Sequence, residues 1–140
     1  MTYFKTKHSL TIEGITESAL LDYFATINQE EFEITASLFA EAGELLAPFE
    51  KPLVGREKIA AYLTKEAKGM KLLPKQGICE TEADFEIYKV LGKVKTALFS
   101  VNAAWYFTLN LEGQITTAKI KLLASPQELL GLQNLQEIQK

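Results

Sequence analysis

The sequence is poor in the residues that build covalent, metal and membrane frameworks. Its 140 residues hold one cysteine (Cys79), one histidine (His8), one tryptophan and two methionines. A lone cysteine excludes an internal disulfide and leaves only pairing between chains, which makes Cys79 the candidate for an intermolecular disulfide. One histidine and one cysteine are too few for a zinc site, so no metal is expected. No apolar run approaches the ~20 residues of a membrane span. The first ten residues, MTYFKTKHSL, lack the apolar block of a signal peptide, and a cytoplasmic protein is expected. A basic excess is missing too: 15 Lys and Arg stand against 18 Asp and Glu, for a net charge of −3. That balance argues against a nucleic-acid partner.

What is present is a core. With 47% hydrophobic and 24% charged residues, the chain is not disordered and suits one domain. Residues 1–12 show no period and read as an arm. Thr16 is placed to cap a helix with Leu20, Phe24 and Ile27 on one stripe. Asn28 followed by Glu31 resembles a capping box opening a second helix, with Phe32, Ala36 and Phe39 on its stripe and Gly43 as its end. Leu45–Phe49 reads as a short strand. Gly55 precedes a third helix with Ile59, Leu63, Ala67 and Met70 near one face.

From residue 70 the period changes to two. Strands are expected over 71–80, 84–91, 92–101, 102–110 and 114–123. The clearest alternation places Phe99, Val101, Ala103, Trp105, Phe107 and Leu109 on one face, as in an antiparallel sheet wetted on its other side. Ser125-Pro126-Gln127-Glu128 starts a short C-terminal helix over 125–140. Its leucines recur every three residues, which fits no single face and suggests a movable lid. Helices first, strands next and a closing helix make the class α+β.

Several segments carry a specific resemblance: EGITESALLDYFATIN (13–28), APFEKPLVGREKIAAYL (47–63), MKLLPKQGI (70–78), GKVKTALF (92–99), NAAWYF (102–107) and KIKLLASPQELL (119–130). Together they resemble the C-terminal domain of the orange carotenoid protein family. The resemblance covers about residues 12–132. It implies a nuclear transport factor 2-like fold over 13–124, a curved antiparallel sheet with the N-terminal helices on its concave face. It implies a small cyanobacterial carrier of a ketocarotenoid, canthaxanthin or echinenone, that quenches singlet oxygen. Tyr23 and Trp105 would donate hydrogen bonds to the keto oxygen. Ile27, Leu72, Val101, Phe107 and Ile120 would form the tunnel. The expected partners are a second copy sharing one pigment, a helical carotenoid protein as transfer partner, and a membrane as pigment source.

The chemistry agrees with those residue types. A long apolar polyene ending in a carbonyl needs an apolar tunnel and one or two donors at its blind end. Phenol O–H and indole N–H each put a donor on a large apolar body without a charge to desolvate. Without the resemblance, Tyr23 and Trp105 read as ordinary core aromatics. His8 reads as solvated. Glu30 and Glu31 read as helix-start carboxylates. Glu80 and Glu82, beside Cys79 in sequence, should disfavour its thiolate. No catalytic residue is expected. The alternatives are an isomerase or dehydratase on the same fold, which needs a buried base, and a dimerisation module.

Overall fold

The alternation that ends at Leu109 is a strand whose inward positions Ala103, Trp105 and Phe107 are almost fully buried. It lies within a computed structural model that describes residues 10–83 and 85–123. Along the chain come α1 (Ser18–Asn28), α2 (Phe32–Ser37), β1 (Phe39–Leu46), β2 (Leu53–Val54) and α3 (Arg56–Glu66). Then follow β3 (Lys71–Glu82), β4 (Phe85–Lys95), β5 (Ser100–Leu109) and β6 (Ile115–Leu123). The strands form one curved open sheet in the order β2-β1-β6-β5-β4-β3. The architecture is α+β, with the helices and the sheet sharing one core. The sheet is mixed rather than wholly antiparallel, because β1 pairs parallel to β6. The C-terminal helix expected over 125–140 and most of the arm expected over 1–12, His8 included, lie outside the described residues. Ile12, expected in the arm, is buried in the core, and Glu13 bridges to Gln76 of β3.

Several element boundaries differ from expectation. The strand expected over Leu45–Phe49 ends at Leu46, and Pro48 and Phe49 lie in a turn. The second helix stops at Ser37, and Phe39 opens β1 instead of closing the helical stripe. Phe39 is fully buried opposite Ile115, so its apolar character served the sheet. Gly43 lies inside β1, where the register shifts, and a Cβ there would stand 2.8 Å from the Ile115 carbonyl oxygen. The break expected near residue 91 is absent: β4 runs through Gly92 to Lys95, and the turn falls at residues 96–99. Gly92 sits where β3 bulges between Pro74 and Gln76, and a side chain there would meet the Leu73 carbonyl. Glycine marks close backbone approach here, not a strand end.

The expected caps are also replaced. Glu17 precedes α1 and Glu31 precedes α2, and neither makes a side-chain cap bond. Asn28 is the last residue of α1. Its Nδ2 donates to the Leu72 carbonyl at 2.8 Å, and its Oδ1 accepts from the Leu72 N–H at 2.6 Å. Glu30 accepts from the Gly69 N–H at 2.7 Å. Both side chains tie α1 to the start of β3.

Candidate functional site

Helix α1 lays Tyr23 and Phe24 side by side on the sheet. Phe24 meets Trp105 edge-on, with centroids 4.9 Å apart, and Tyr23 meets Phe107 edge-on at 5.0 Å. Trp105 is flanked in register by Val90 on β4 and Ile120 on β6. These contacts fix both rings in a dry core: Tyr23 is 2% exposed and Trp105 1%.

Beside them lies a cavity of about 210 Å³. Tyr23 and Trp105 both line it, as do Ile27, Leu72, Val101 and Ile120. Phe107 does not. It is fully buried behind Tyr23 and Phe24, where it props their rings. Phe49, Leu122 and Phe99 mark the opening: they line the cavity yet are 98%, 43% and 55% exposed. Leu122 shares a face of β6 with Ile120, which is the signal that could have found it. Tyr62 and Leu63 add a wall from α3. Phe49 in particular follows a proline in a turn and belongs to no periodic stripe.

The polar inventory of this cavity is short. Among the described residues neither the Tyr23 hydroxyl nor the Trp105 indole N–H has a hydrogen-bond partner. A buried donor left unpaired costs roughly 1–3 kcal/mol, so two on one cavity call for an acceptor. Burial pushes the Tyr23 phenol far above its ordinary 10.0, with Tyr62 adding to the effect, so the group is a neutral O–H donor. The only charged lining residue among those described is Glu66, which is exposed. No group of three or more His, Cys, Asp or Glu there could hold a metal.

Cys79 is exposed on edge strand β3, away from this cavity. The acids that bear on it are Glu86 and Glu17, not its sequence neighbours. Register pairs Cys79 with Tyr88, so Glu80 and Glu82 point to the opposite face. Partial loss of water at the sulfur, then Glu86, pushes the thiol upward against a lowering bond from Tyr88.

An orange carotenoid-binding protein of Limnospira maxima is 44% identical over 126 residues, 86% of this chain and 40% of that protein. One from Synechocystis is 40% identical over 127 residues, again 40% of its length. The structure of the Anabaena orange carotenoid protein binding canthaxanthin superposes with a TM-score of 0.77 at 40% identity, over 87% of this chain and 40% of that one. This chain is a homologue of the C-terminal domain of orange carotenoid proteins. It thus spans about 40% of the length of the curated relatives it matches. An NTF2-like protein from Cytophaga hutchinsonii, 16% identical with a TM-score of 0.61, shares the fold over 86% of this chain and 99% of its own. No family model matches the chain. Among the described residues no helix is long and apolar enough to cross a membrane.

Proposed function

We propose that this orange carotenoid protein homologue binds the end ring of a ketocarotenoid in the cavity, with Tyr23 and Trp105 donating to its carbonyl. The observation that carries this reading is the pair of buried donors on one apolar cavity that have no partner among the described residues. A carbonyl oxygen has two lone pairs and accepts both. An apolar cavity of ~150 Å³ takes a benzene-sized ring, so about 210 Å³ suits a substituted ring. It is smaller than the roughly 300–1,000 Å³ that encloses a drug-sized ligand, and the polyene must extend through the mouth. A second copy, or a helical carotenoid-binding partner receiving the pigment, would cover that length. The role is then a carrier and singlet-oxygen quencher rather than a catalyst: Glu66, the one carboxylate on the lining among the described residues, sits in water and lacks the burial of a general base.

The test is reconstitution of purified protein with canthaxanthin and, separately, with β-carotene, which has the same polyene but no carbonyl. Retention of canthaxanthin with a shifted visible band, and poor retention of β-carotene, is expected. Equal binding of both would remove the donors from the account.

A further inference from the structure

The two ends of the sheet carry opposite charge. At the end bearing the β3–β4 and β5–β6 turns, exposed Phe85 and Leu111 stand among Glu82, Glu86 and Glu112. At the other end, where the cavity opens, Leu98 is 90% exposed and Phe99 is 55% exposed on the β4–β5 turn. The basic residues there include Lys93 and Lys95 on β4, Lys71 paired with Lys95 on β3, and Lys121 on β6, all exposed. Register puts Lys93, Lys95 and Lys121 on the face opposite the helices, because Val94, Ala103 and Trp105 take the buried side. Glu66 and Glu50 belong to the helix side of the mouth.

The turn itself is held in shape. The Thr96 N–H donates to the Phe99 carbonyl at 2.8 Å, and Thr96 Oγ1 accepts from the N–H groups of Leu98 and Phe99, each at 3.2 Å. Two large apolar side chains are thus presented to water on a braced turn. Alone they bury far less than the ~800 Å² per partner of a stable protein interface. Apolar side chains with lysines behind them match a different partner, the boundary between headgroups and acyl chains of an anionic bilayer.

We infer that this end of the sheet docks on anionic lipid, with Leu98 and Phe99 entering the acyl boundary and Lys93, Lys95 and Lys121 meeting headgroup phosphates. Its purpose rests on the carotenoid reading: the cavity mouth would face the bilayer, and a water-insoluble pigment would enter without crossing water. The docking surface stands on its own observations.

Pigment-free full chain is floated with phosphatidylcholine vesicles, with and without phosphatidylglycerol. Binding is expected only with phosphatidylglycerol, weakening as salt rises. Leu98→Ser should reduce it, and the combined Lys93→Glu, Lys95→Glu and Lys121→Glu should lower affinity by on the order of a hundredfold. Circular dichroism checks the fold of each variant, and the salt series on the unmodified chain needs no variant. No binding to anionic vesicles, binding indifferent to salt, or unchanged binding by folded variants overturns the proposal. So does Leu98→Ser splitting a dimer of this chain while vesicle binding persists. Canthaxanthin uptake from detergent without vesicle binding defeats the docking surface alone. Vesicle binding without uptake supports docking and defeats the carotenoid reading.

Discussion

The Asn28 side chain does the work of a neighbouring strand for Leu72, exchanging both hydrogen bonds with its backbone at 2.8 and 2.6 Å. Strand β3 ends the sheet, and this amide satisfies two groups that the edge would leave open. The same bonds set the Leu72 side chain against the cavity. Asn28→Ala should therefore cost roughly 1–3 kcal/mol, read by chemical denaturation. Asn28→Asp keeps the acceptor but sets a carboxylate against the Leu72 carbonyl, and should be no better. An unchanged midpoint for Asn28→Ala would show that the edge does not need the bond.

Phe107 separates support from lining. It touches Tyr23 and Phe24 but is not on the cavity wall. Phe107→Ala should destabilise by about 3–5 kcal/mol, as for other buried aromatics. Pigment retention by Phe107→Leu should fall less than by changes at Trp105. Denaturation and pigment titration together check this, and a Phe107→Leu protein of full stability that releases pigment would contradict it.

Much of this was legible in the sequence because period two survives in β5. Val101, Ala103, Trp105 and Phe107 share one side of one strand, and that side is the core. Tyr23 and Ile27 are four residues apart on α1 and reach one cavity for the same reason. What could not be read depends on pairing across the chain. Phe39 looked helical because it fits an i, i+4, i+7 stripe with Phe32 and Ala36, yet Ile115 draws it into a parallel pair. Asn28 looked like a cap because short polar residues favour that place, yet Leu72, 44 residues away, claims it. Alternation gives Phe107 its face and the resemblance implies a place in the tunnel, but neither gives the depth at which it lies.

Alkaline pH should weaken the fold. The Tyr23 phenol is raised above its ordinary 10.0 by burial. Above that value the unfolded chain loses the proton while the folded chain keeps it, so stability is fully present below about pH 10 and declines as pH rises further. Denaturation midpoints across that range check the sign. In Tyr23→Phe the decline should be shallower, and an identical slope would assign it elsewhere.

Cys79 should be a sluggish thiol. Partial desolvation and Glu86 both disfavour its thiolate. Alkylation at neutral pH should run slower than for a free cysteine and speed up in Glu86→Gln. Rapid disulfide-linked dimer on a non-reducing gel after exposure to air would contradict this.

The central claim is that Tyr23 and Trp105 hold one carbonyl. The most direct measurement is the visible spectrum and pigment retention of canthaxanthin-loaded protein, unmodified and with Tyr23→Phe plus Trp105→Phe. The double variant should stay folded, release pigment faster, and absorb at shorter wavelength. A folded double variant with an unchanged band and unchanged retention would contradict the account.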